Sequence, residues 1–271
     1  MTAATVAGCV IVVPLAAMTD YKETLDEYWS TFDAADFVSQ DPVQVPRQMM
    51  SRADASVADI EITAMWTAMI AWGRREQILK DAARLLDICG NRPAEFIRLQ
   101  KFDMLADDLS VHRTLKGREF KQVCRNMYDF YHENLSMQSF LSRFENVYCI
   151  DDLLQRLCNM FEPAGLGNPK RHSACKRVNM LLRWMVRKDD IDIGLWRTLL
   201  ITPANLYAVL DTHVAQQARH MGLISVSRES WNAVLELTDV YRSWDCEDPL
   251  KYDMVLMRLH LDKSATSSDQ P

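Results

Sequence analysis

Lys176 and Asp211 are the residues in this chain best suited to covalent chemistry on a sugar or carbonyl carbon. An amine that sheds its proton is a nucleophile, and a carboxylate brought near it can steady positive charge at the carbon it attacks. Lys176 lies in a basic run, Lys170 to Lys188, with Arg171, Arg177, Arg183 and Arg187. That is seven Lys or Arg in 19 residues of a protein with net charge -6. A local basic stripe on an acidic chain points to a site for anions. Overall negative charge argues against indiscriminate nucleic-acid binding but not against a local basic cleft.

The run reads as a helix over 174–188, which holds no Gly or Pro. At about 100° per residue, Val178, Leu181, Leu182 and Met185 share one face. Lys176, Met180, Arg183 and Arg187 share the opposite one. An ordinary solvated face is the competing interpretation. Against it, no Asp or Glu lies three or four residues from these cations inside the helix. A Gly- and Pro-containing loop, 163–170, precedes the helix, and its backbone N–H groups can hold a phosphate. Lys170, Arg171, Arg177, Arg183 and Arg187 are therefore candidate phosphate contacts, and His213 orients a phosphate or caps a helix. Asp211 precedes Thr212 as a helix N-cap would, and this role is compatible with chemistry. Trp184, at the stripe's edge, stacks on a base or packs in the core. Trp72 and Arg74 sit at an interhelix corner, and His112 and Arg113 in a loop. All four are candidates for lining a base pocket.

These residues must be positioned by helices. The chain has 271 residues, 48% hydrophobic and 25% charged, with only 8 Gly and 9 Pro. Helical periodicity covers 20–33, 57–72, 74–89, 93–100, 118–132, 136–147, 150–160, 174–188, 193–200, 203–208, 212–221, 228–243 and 249–259. Asp248-Pro249 and Thr202-Pro203 read as caps followed by Pro at the first helical position. No strand is expected, and the fold class is all-α. Asp59 and Glu61 fall on different faces of a helix start and are expected to serve a helix dipole or an arginine.

We expect one domain over 18–261, with lobes at about 57–160 and 174–260 and the N-terminal helix packed across them. Residues 1–17 read as a loose extension before a start at Met18, and Pro14 breaks an apolar stretch too short for a membrane span. Residues 262–271 read as a disordered tail. Seven scattered Cys without paired spacing suggest reduced thiols and a cytoplasmic protein. His172 and Cys175 make only a weak ligand pair, so no metal and no cofactor are expected.

The segments 173–189, 192–196, 210–214 and 248–253, with Asp41-Pro42, Asp59-Ile60-Glu61, 71–75 and 112–114, resemble a bacterial family filed as a domain of unknown function. The resemblance spans about residues 20–260. That family is similar, at a distance, to the helix-hairpin-helix DNA glycosylases, especially the archaeal 8-oxoguanine glycosylase/lyase type. The resemblance implies a two-lobed helical glycosylase-like fold and DNA as partner. It also implies a helix-borne lysine that attacks the anomeric carbon and an aspartate at the start of a later helix. Lys176 and Asp211 stand in that order, 35 residues apart. The hairpin pattern Leu-Pro-Gly-Val-Gly-x-Lys is missing. Gly165-Leu166-Gly167 is a fragment of it, nine residues before Lys176. The expected activity is an N-glycosylase with lyase activity on an oxidised purine. A non-catalytic nucleic-acid or nucleotide module, an enzyme on a nucleoside or phosphorylated substrate, and a plain scaffold are the alternatives.

Overall fold

The computed structural model describes residues 15–268. They form an all-α architecture with one small hairpin. Three helices open the chain: α1 (Leu15–Ser30), α2 (Ala34–Gln40) and α3 (Gln44–Met50). They lead to α4 (Val57–Met69), the central helix, in which every residue from Ala58 to Met69 is buried. Its start is fixed locally. Ser56 accepts from the Asp59 N–H, and Asp59 returns to the Ser56 N–H, closing a capping box. Asp59 also accepts from the Ala94 N–H at 2.9 Å, which ties α4 to the start of α6 (Pro93–Arg98).

Between α4 and α6 runs α5 (Arg75–Ile88); the linker Ile70–Arg74 separates it from α4. Then comes the hairpin, β1 (Ser110–His112) and β2 (Leu115–Lys116), paired antiparallel with His112 opposite Leu115. This corrects the expectation of no strand: three- and two-residue strands are too short to show an alternating pattern. Helices α7 (Gly117–Tyr131), α8 (Met137–Arg143) and α9 (Ile150–Met160) complete the first half.

Glu61 has no arginine partner. Its buried carboxyl accepts from the Met137 and Gln138 N–H groups, both at 2.7 Å, from Trp196 Nε1 at 2.9 Å and from the Tyr131 hydroxyl at 3.0 Å. It thus caps α8 from within the core and anchors the loop carrying Trp196. Burial raises its pKa, against the pull of those four donors.

Helix α10 (Lys176–Val186) is followed by the irregular stretch 187–211. Helices expected over 193–200 and 203–208 are absent, apart from a single 3-10 turn at Pro203–Asn205. Gly194 explains part of this. Its φ is +73°, and a Cβ there would fall 2.5 Å from the Lys188 Cβ. The chain folds back so that the Ile193 and Trp196 N–H groups reach the Trp184 and Met185 carbonyls, satisfying the end of α10 instead of starting a new helix.

Helices α11 (Thr212–His220), α12 (Trp231–Trp244) and α13 (Lys251–Ser268) close the fold. Asp248 does not cap α13; it pairs with Arg187. Helix α13 continues through Ser268, since no Gly or Pro interrupts 251–268. Residues 262–268, expected to be a disordered tail, are therefore helical. Residues 269–271 lie outside the described residues, as do 1–14 of the expected loose extension. Leu15–Ala17 open α1, three residues ahead of Met18.

The interior falls into two apolar clusters. The larger joins α2 to α10, and Val178, Leu181, Leu182 and Met185 of α10 belong to it. The smaller joins Leu25 of α1 to α11, α12 and α13. Among the described residues no helix is long and apolar enough to cross a membrane.

Candidate active site

A cavity of about 290 Å³ opens between the α4–α5 linker, α10, the segment 209–214 and α13. Lys176 and Asp211 line it together. Lys176 is the first residue of α10, placed there by Cys175, whose φ of +48° turns the chain sharply into the helix. Asp211 is the N-cap of α11, and its Oδ1 accepts from the Val214 N–H at 2.8 Å. Its other oxygen, Oδ2, lies 3.4 Å from Lys176 Nζ. One carboxylate thus caps a helix and faces the amine. The Asp211 side chain is only 13% exposed, so the pair meets at the edge of the interior.

The remaining cations of the basic run divide. Arg183 and Arg187 are each 3% exposed and do not reach solvent. Arg183 pairs with Asp192 at 3.3 Å. Arg187 pairs with Asp192 at 2.7 Å and Asp189 at 2.8 Å, and grips Asp248 through both Nε and Nη2 at 2.7 Å. Burial alone would depress the Arg187 pKa; the Asp248 hydrogen bonds and the charges of Asp192 and Asp189 outweigh it and raise it. These two are structural cations, which corrects their assignment as phosphate contacts. The neutralising carboxylates come from beyond the helix, where a search at three- and four-residue spacing cannot find them. Arg183 still forms part of the cavity wall.

Arg177 is half-buried and lines the open groove beside the cavity. It donates to the Met69 carbonyl at 2.5 Å and to the Gly165 carbonyl at 3.0 Å, and its guanidinium lies 4.5 Å from the Trp72 ring centroid. Burial lowers its pKa to about 10. It ties the end of α4 and the loop at Gly165 to the Trp72 ring, and both Nη atoms are engaged by backbone carbonyls. Lys170 and Arg171 are exposed on the 3-10 turn Pro169–Arg171, with Glu162 at 3.5 Å from Arg171.

Trp184 is fully buried in the larger core cluster and cannot stack on a base. Trp72 does line the cavity, and His213, exposed at the start of α11, lines it too. Arg74 is exposed beside the cavity as the N-cap of α5. His112 is buried in β1, off the cavity, so its placement in a pocket-lining loop is corrected. Arg113 is exposed at the hairpin tip. The mouth continues into an open groove lined by Gly165, Ser173, Lys176, Asp211 and Thr212. A wider surface recess of about 710 Å³ beside Phe130 and Arg156 contains no lysine. Among the described residues no group of three or more His, Cys, Asp or Glu is placed to hold a metal.

Sequence reasoning missed two carboxyls of the cavity wall, Asp41 and Asp253. Asp41 and Asp253 are buried at 6% and 2% exposure. One oxygen of Asp41 accepts from the Val43 N–H, and one of Asp253 accepts from the Val209 N–H at 2.7 Å. Both positions lie in the segments that carried the family resemblance, which was the available signal.

Burial raises the pKa of both carboxyls, and that of Asp253 reaches about 7 against the Val209 N–H and the Arg183 charge. An unfolded Asp ionises near pH 4. Between the two values the folded chain keeps a proton that the unfolded chain has lost, so stability falls as pH rises. Asp253→Asn keeps an acceptor for Val209 and removes the titration. Its stability relative to the parent is expected to improve by roughly 3 kcal/mol from pH 5 to pH 8. Urea melts of both proteins at the two pH values check this; a difference that does not change with pH contradicts it.

No curated protein and no solved structure matches the chain. A family model does, over residues 41–262, under the description "Protein of unknown function (DUF2400)". With that match covering most of its length, the chain belongs to the DUF2400 family.

Proposed function

We propose that this protein is a DNA glycosylase with lyase activity, built on a helical glycosylase-like fold and acting on an oxidised purine. The observation that carries the reading is the Lys176–Asp211 pair, 3.4 Å apart at the lip of an interior cavity. An isolated surface lysine would have neither a part-buried carboxylate beside it nor a chamber behind it. The chamber, about 290 Å³, sits at the small end of ligand pockets and suits one extruded base better than a longer segment. Its wall offers an aromatic ring, Trp72, and two buried carboxyls, Asp41 and Asp253, which can accept from the N–H groups of a purine edge.

In this reading Lys176 gives up a proton and its lone pair attacks C1′ of the flipped nucleotide. The C1′–N bond breaks, its electrons leave with the base, and the base takes up a proton. Opening of the C1′–O4′ bond then leaves a C=N bond between C1′ and Lys176 Nζ, with the proton on O4′. Asp211 steadies the positive charge that develops at the sugar. Exposed Lys170, Arg171, Arg74 and Arg113 hold backbone phosphates, which orient the strand without reading its sequence.

A second reading, a nucleotide-binding module without catalysis, draws on the internal pairing of Arg183 and Arg187, which leaves fewer cations for a duplex. Borohydride separates the two. It reduces the C=N bond to a stable amine, so a catalytic protein forms a covalent adduct with an abasic duplex. A binding module gives salt-sensitive binding and no adduct.

A further inference from the structure

The β1–β2 hairpin is the one strand pair among the described residues, and its tip is docked on the linker that carries Trp72. His112 places Nδ1 2.7 Å from Asp81 Oδ2 and Nε2 2.8 Å from the Trp72 carbonyl oxygen. The ring is thus anchored at both nitrogens, by a side chain of α5 on one side and by the linker backbone on the other. Asp81 is held in turn by Arg84 at 3.1 Å, and Arg84 reaches the Ser110 and Val111 carbonyls of β1 at 2.8 and 2.6 Å. The next tip residue, Arg113, adopts a left-handed φ of +49° and lies against Gly73. Gly73 itself has φ +98°, and a Cβ there would sit 2.6 Å from the Arg113 guanidinium. Two consecutive tip residues thus hold two consecutive linker residues.

The Trp72 ring is fixed from two further directions. The His112 ring stands perpendicular to it with centroids 4.4 Å apart, and the Arg177 guanidinium lies 4.5 Å from its centroid. Trp72 and Gly73 both line the cavity with Lys176 and Asp211, whereas His112 and Asp81 do not touch it. A wall fixed before the ligand arrives lowers the ordering cost of binding and holds the reacting bond in line with its nucleophile.

We propose that His112 and Asp81 are positioning residues, which hold Trp72 as the wall that orients an oxidised purine base for release. This rests on the glycosylase reading above. The test compares two reactions of the full chain. Release of 8-oxoguanine from a duplex requires the base to be gripped; borohydride trapping on a ready-made abasic duplex does not. In His112→Gln and in the milder Asp81→Asn, single-turnover release is expected to fall about 10- to 100-fold, as for other small misplacements, with trapping on abasic DNA within about twofold of the parent. Equal loss of both reactions would mark a merely structural role and overturn the inference, as would unchanged release. A parent protein that traps abasic DNA but releases no 8-oxoguanine overturns it too. A parent that traps no abasic DNA overturns the glycosylase reading itself, and this inference with it.

Discussion

Lys176→Ala is expected to abolish the borohydride adduct and to slow base release by roughly three orders of magnitude or more, the scale on which covalent enzymes lose rate without their nucleophile. The fold should survive. Lys176 is part-exposed at a helix start, and alanine is the best helix former. Asp211→Asn sharpens the test. Asn caps a helix about as well as Asp, so α11 keeps its Val214 contact and thermal stability should change little. The charge facing Lys176 is lost, and release should fall on the order of 100-fold. Single-turnover release with thermal melts distinguishes the two roles. An Asn variant of full activity would reduce Asp211 to a cap.

Arg187→Met is expected to cost about 3–5 kcal/mol of stability, the usual penalty for removing one partner of a buried ion pair. Asp192, 2% exposed, would keep only Arg183, and Asp248 would lose its two-pronged partner. The ion cluster joins the end of α10 to the turn before α13, so a urea melt should show a lower midpoint. Lys188→Ala, at the exposed neighbour, should stay within about 0.5 kcal/mol. Equal effects at 187 and 188 would mean that the cluster contributes nothing.

That contrast also locates the limit of reading this chain by spacing. Lys176 and Asp211 were legible because each announces itself locally, one in a cationic helix and one as a cap before Thr212. Arg183 and Arg187 looked equally available, since the helix holds no carboxylate for them. Their partners lie in the following turn and beyond α12, and only the folded chain brings them near. Most helices followed from periodicity, and the start of α11 from its cap at Asp211. The stretch 193–208 has the composition of helix, yet carbonyls at the end of α10 recruit its N–H groups and Gly194 turns it back. Asp41 and Asp253 lie 212 positions apart in the chain and meet only across the cavity, so no local pattern marked them. The hairpin beneath Trp72 is too short for periodicity to detect.

The most direct measurement is peptide mapping, by mass spectrometry, of the borohydride-reduced adduct formed with an abasic duplex. The glycosylase/lyase account predicts a deoxyribose-derived mass on the single peptide that contains Lys176. An adduct on any other lysine, or no adduct under conditions where the protein binds the duplex, would contradict it.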